Sequence, residues 1–139
     1  MSAISLTAAN IRALTENGAV IRRYIAGGTI TVGNLVALAS DGYIDPADAN
    51  GSQALSMAIG VAVQSYDGET SIAAGGPVSV CVFGPVSGFL AMTPGANHYV
   101  SDTAGSVDTA TGTYDRIIGY AESATVLFVN PEMNDPSSA

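Results

Sequence analysis

The side chains with the chemistry to catalyse or to bind a metal are few and scattered. The chain holds one histidine, His98, one cysteine, Cys81, no lysine and no tryptophan. A single histidine excludes a multi-histidine metal site, and a Ser/His/Asp triad would have to recruit distant partners. Gly84-Pro85-Val86-Ser87-Gly88 is not the Gly-x-Ser-x-Gly elbow that would expose a nucleophilic serine. Cys81 lies mid-strand between Val80 and Val82, where a free cysteine behaves as a small buried hydrophobe. Asp41, Asp45 and Asp48 are close in sequence, but Asp41 to Ser52 lacks the alternating acids and terminal Glu of a calcium loop. Turn capping is the stronger reading, and hard-cation binding the lesser alternative. Gly27-Gly28 and Gly75-Gly76 are no phosphate loop, because the lysine such a loop uses is missing. Paired carboxylates acting on a sugar would need an aromatic cleft, and aromatic residues make up only 6% of the chain. The reading is therefore of a protein that is not an enzyme, with no cofactor and no metal. The remaining chemistry is Arg22-Arg23, the only clustered positive charge, suited to rigid bidentate pairing with carboxylates of a partner.

Composition points the same way. The 139 residues suit one domain, and the formal net charge is -8. Such a surface repels phosphate backbones and anionic membranes, so neither nucleic acid nor membrane is an expected partner. With 47% hydrophobic and only 12% charged residues, the chain is expected to fold, with part of its surface covered by partners as one option. No run of apolar residues is long enough to span a bilayer, and no secretory leader is expected at the N-terminus.

The elements that must position these residues are short strands. Sixteen glycines and six prolines punctuate the chain. Residues 1–25 read as an N-terminal arm or short helix with the first strand, Ala19 to Ile25. Residues 26–131 read as a β-rich body, and 132–139 as a flexible polar tail. Within the body, strands are expected in TITVGNLVALAS, at Tyr43-Ile44, and in MAIGVAVQS, ETSIAA, NHYVSD, GSVD, DRIIGYAES and TVLFVN. Turns are expected at Asp41-Gly42 and Asp67-Gly68. Val78, Val80 and Val82 alternate with Ser79, Cys81 and Phe83. Two apolar faces imply a strand buried on both sides, or one facing a neighbouring subunit through Val78, Val80, Val82 and Phe83. The fold class expected is mainly β, a small antiparallel β-barrel or sandwich preceded by the arm.

Two stretches echo one another. Val32 to Ser65 and Pro94 to Ser123 each contain a strand ending in Ser-Asp, at Ser40-Asp41 and Ser101-Asp102. Each continues with Gly-x-aliphatic-Asp, at Gly42–Asp45 and Gly105–Asp108. Each then crosses a polar loop into Ile-Gly-x-Ala, at Ile59–Ala62 and Ile118–Ala121. This order predicts two related hairpin units, with the glycine of Ile-Gly-x-Ala at a bulge or a close backbone contact.

The segments IAGGTITVGNLVALASDGYIDPA, AIGVAVQSYDGETSIAAGGPVSVCVFGPVSG, TPGANHYVSD and RIIGYAESATVLFVNP, in this order, resemble the capsid decoration or cement proteins of tailed bacteriophages. The resemblance covers residues 26 to 131 and rests on the order of strand and turn motifs. It implies a structural virion protein on the outer surface of an icosahedral head, cementing neighbouring major capsid subunits, commonly as a homotrimer. Ile4, Leu6, Ile11, Leu14, Arg22 and Arg23 are then the candidate capsid contacts. A phage tail or fibre-associated β-protein is the alternative reading, and a small carbohydrate-binding or hydrolytic domain a more distant one.

Overall fold

The structure is a computed structural model that describes residues 3–50, 52–64 and 69–131. The polar tail at 132–139 and the Asp67-Gly68 turn lie outside the described residues. The described chain is mainly β. Its strands are β1 (Arg12–Ala13), β2 (Val20–Ile25), β3 (Ile30–Thr31), β4 (Leu35–Leu38), β5 (Ile44–Pro46), β6 (Ala58–Val63), β7 (Ser71–Ile72), β8 (Pro77–Ser87), β9 (Asn97–Val100), β10 (Val107–Asp108), β11 (Ile117–Ala121) and β12 (Val126–Val129). After residue 18 the described residues hold one helical turn, α1 (Gln53–Ser56), whose start is capped by Ser52 accepting from the Leu55 N–H at 3.1 Å.

The main sheet runs β10-β9-β11-β12-β8-β6-β4-β5, every pairing antiparallel. β8, at 11 residues, is its axis. Along one edge its first half pairs with β6 and its second half with β12. Along the other edge lie β2, from Val20↔Phe83 to Ile25↔Pro77, and β1, with Arg12↔Ser87 and Ala13↔Val86. Gly84, at φ 109°, marks the change of partners. A Cβ there would stand 2.6 Å from the Ala19 Cα, so the β1–β2 connection can pass only over a glycine.

The two echoing segments take the same arrangement on opposite flanks. β4 is bracketed by β5 and β6, and β9 by β10 and β11. In both, the register shifts at the isoleucine of Ile-Gly-x-Ala. β4 pairs Val36↔Gly60 and Ala37↔Ala58, skipping Ile59, while β9 pairs His98↔Gly119 and Tyr99↔Ile117, skipping Ile118. The following glycine then lies against the next strand. A Cβ at Gly60 would collide with the Cys81 carbonyl oxygen of β8, and one at Gly119 with the Phe128 carbonyl oxygen of β12. The polar loops differ, since only the first carries α1.

The sheet curls into an open half-barrel. Its ends approach through loops: the Ala49 N–H donates to the Ser101 carbonyl at 2.9 Å and the Gly105 N–H to the Ala47 carbonyl at 2.6 Å. Ile30, Val36, Val61, Val80, Val100, Ile118 and Leu127 are buried in one apolar core, to which Val61 and Val80 contribute from opposite faces of the sheet. The N-terminal region lies along this body. Single turns of 3-10 helix at Ala8–Asn10 and Thr15–Asn17 flank β1, and Ile11 is fully buried. The Ile4 N–H donates to the Val107 carbonyl at 2.7 Å, covering the outer edge of β10. At the opposite end the Gly27 N–H donates to the Ile44 carbonyl at 2.8 Å, covering β5.

The paired collisions give a direct test. Gly60→Ala and Gly119→Ala each force a ladder apart and are expected to cost about 3 kcal/mol or more in urea unfolding. Gly95→Ala, at φ 81° with open space around it, is expected to cost only about 1–2 kcal/mol of backbone strain.

Candidate interaction surface

The residues with catalytic potential are dispersed, His98 and Cys81 in the core and Asp41, Asp48 and Asp102 in turns nearer the surface. His98 is 1% exposed in the β9–β11 ladder, with Nδ1 3.0 Å from the Ala96 carbonyl oxygen and no partner at Nε2. Cys81 is fully buried in β8, its Sγ 3.4 Å from the Phe83 carbonyl oxygen. Burial pushes its thiol pKa up, against the smaller opposing effect of backbone hydrogen bonds at Phe83 and Val20. Asp41 accepts from the Tyr43 N–H at 3.0 Å and Asp48 from the Asn50 N–H at 2.8 Å, which is turn capping. Asp102 instead reaches across its loop to the Thr113 N–H at 2.7 Å. Among the described residues, no three of His, Cys, Asp or Glu group to hold a metal.

One buried charge is not legible in the sequence. Arg116, at the foot of β11, is 1% exposed; its Nε–H donates to Ser56 Oγ at 3.2 Å, and Nη1 and Nη2 meet no acceptor. It is held against α1 through Ser56.

The surface is more informative. β2 pairs with β8 along one edge only, and no described strand pairs with its other edge. It is six residues long and largely exposed, with Val20 at 47%, Ile21 at 40% and Ile25 at 39%. Arg22 and Arg23 are both exposed here, and no ion pair engages them among the described residues. Strand alternation sends Val20, Arg22 and Tyr24 to one face and Ile21, Arg23 and Ile25 to the other. The first face borders a shallow groove of about 330 Å³, shared by Arg22, Tyr24, Ile59, Val82, Asn130 and Pro131.

An aromatic stripe continues from Val20. Its register partner Phe83, 45% exposed, meets Phe128 edge-to-face with centroids 5.1 Å apart. Phe128 stacks on its own register partner Tyr120, again at 5.1 Å. Cross-strand aromatic pairs of this kind add stability beyond their burial, about 0.2–1 kcal/mol each. Phe83 and Tyr120 nevertheless leave large apolar faces in water.

The sequence candidates divide accordingly. Arg22 and Arg23 are surface residues. Ile4 and Leu6 are half-buried and pack against the core, Ile11 is inside it, and Leu14 is half-buried with its N–H on the Pro85 carbonyl at 2.9 Å. Contact with another molecule through Ile11 would require the segment to leave the body. Val78 and Val80 are buried within the protein's own fold, Val82 is half-buried in the groove, and Phe83 is open. The two apolar faces of β8 are thus satisfied within one chain up to Val82. Tyr120, Phe128 and Ile21 escaped sequence reasoning, because their neighbourhood depends on which strands lie side by side. No protein-family model matches the chain, and no curated protein sequence matches it.

Two outcomes follow from these placements. Ile11→Ala leaves a cavity and is expected to cost about 2–5 kcal/mol in urea unfolding; a loss below about 0.5 kcal/mol would place the N-terminal region outside the cooperative core. Because burial both raises the Cys81 pKa and blocks access, the native thiol is expected to be inert to a disulfide reagent at neutral pH and to react fully in denaturant.

Proposed function

We propose that this chain is a non-catalytic structural protein of a tailed-bacteriophage head, bound to the outer surface of the capsid and cementing neighbouring major capsid subunits. The observation that carries the reading is the unpaired, apolar edge strand β2 bearing Arg22 and Arg23, on a body otherwise rich in acids. A soluble protein with no partner leaves such an edge short, charged or covered. The ends of this sheet are covered, and no described strand covers β2. The resemblance of its motif order to that of decoration proteins supports the choice of partner.

On this reading the protein is a homotrimer on the capsid, with the Phe83–Phe128–Tyr120 stripe as the apolar surface that copies share around a closed axis. This leaves β2 free for the shell. A trimer touching several capsid subunits gains effective concentration once its first contact forms, so modest contacts sum to a stable clamp. Binding to the assembled lattice and not to separated subunits raises the cost of disruption by linkage.

Heads with and without the protein, heated in low-magnesium buffer, test this. Bound protein is expected to raise the temperature at which the genome escapes. Equal rupture at verified full occupancy removes the cement role, and density confined to the tail transfers the protein to the tail or fibre class.

A further inference from the structure

We propose that the outer edge of β2 is a strand-addition site, and that its ligand is an extended segment of a partner protein carrying two adjacent acidic residues flanked by β-branched apolar ones. The inference deepens the reading above, because it names the kind of segment the surface would take. It rests on the edge, the charges and their alternation.

β2 offers a row of backbone donors and acceptors with no described strand beside it. An added strand would complete the ladder through main-chain hydrogen bonds, with side-chain pairing setting the choice of segment. Arg22 and Arg23 are consecutive and therefore point to opposite faces. A paired strand meets both only if it places acids at two consecutive positions. Val20 and Ile21 before them, and Ile25 after, then face apolar residues of the ligand. On the Arg22 face the ligand also overhangs the groove beside Tyr24 and Val82. The guanidinium fork suits a carboxylate in each case.

A second copy of this chain is a poor occupant. Antiparallel pairing of β2 with its symmetry mate, centred on the strand, sets Arg22 against Arg23 or against itself. Directly opposed like charges destabilise a sheet. Each copy also carries a formal charge of -8. Acidic strands of a partner reverse the first of these penalties and exploit the only exposed cationic pair on the molecule.

The probe is a synthetic valine- and threonine-rich peptide with two adjacent central glutamates, titrated into the full chain and followed by fluorescence anisotropy. Binding is expected, weakening as salt rises, with new protection of β2 amides from hydrogen exchange. The same peptide with two adjacent lysines is expected to bind at least tenfold more weakly. The double variant Arg22→Glu/Arg23→Glu, with an unchanged circular dichroism spectrum, is expected to invert that preference. A glutamate peptide N-methylated at alternate backbone positions is expected to lose binding at least tenfold, which pure charge attraction would not produce. No binding of the glutamate peptide, or equal binding of the N-methylated form, overturns the proposal. So does a dimer in sedimentation equilibrium that Arg22→Glu/Arg23→Glu alters, since a second copy would then occupy the edge. The two readings fail separately: heads that still take up the double variant at full occupancy sink strand addition and leave the cement role standing.

Discussion

A β-strand carries hydrogen-bonding groups on both edges, and a buried one must find partners for all of them. For the 11 residues of β8 that requirement organises the whole molecule. No single neighbour among the described strands is long enough, so each edge is served by two strands in tandem: β6 then β12 on one side, β2 then β1 on the other. The two three-stranded units are attached through β6 and β12, and their loops meet on the far side of the half-barrel. The N-terminal region is drawn into the fold for the same reason. It supplies the second edge of β8, and Ile11, immediately before β1, enters the core.

This arrangement leaves one consequence at the surface. Recruited to satisfy β8 on one side, β2 has no described strand along its other side. Its neighbour β1 is only two residues long and offers little edge to pair. At the sheet ends, Ile4 and Gly27 donate to the edge carbonyls of β10 and β5. The position of the open edge is thus a result of connectivity, whereas its composition is a property of the residues placed there.

The local grammar was legible in the sequence. Ile59-Gly60 and Ile118-Gly119 announced a bulge and a close backbone approach, and both occur with equivalent register shifts. Asp41-Gly42 announced a turn, and Asp41 caps it. Strand is expected in the segment TITVGNLVALAS, and β3 and β4 lie there on either side of Gly33. What the residues could not announce was adjacency. Phe83, Tyr120 and Phe128 are far apart in sequence and share a surface only because β12 lies between β8 and β11. Ile11 looked like part of a detachable arm because a lone apolar residue carries no record of the core it fills. Nothing in the local sequence marks Arg116 for burial, yet it is enclosed against Ser56 of α1.

The two arginines on β2 can be understood as guards, since charged side chains on an edge discourage unwanted pairing. That account alone is incomplete. A guarded edge has no need of Val20, Ile21 and Ile25, each left with more than a third of its surface in water. Replacing them with polar residues would protect the edge better and cost no core packing. Six residues of β-branched, aromatic and cationic side chains form a good strand for pairing and a poor one for pairing with itself. Discrimination between partners is a difference of affinities, and a charge that repels one partner attracts its complement. The same guanidiniums that keep two copies apart therefore lower the free energy of an acidic strand on that edge. In a chain of formal charge -8 with only four arginines, placing two of them together on the open edge puts the positive field where the backbone is unpaired.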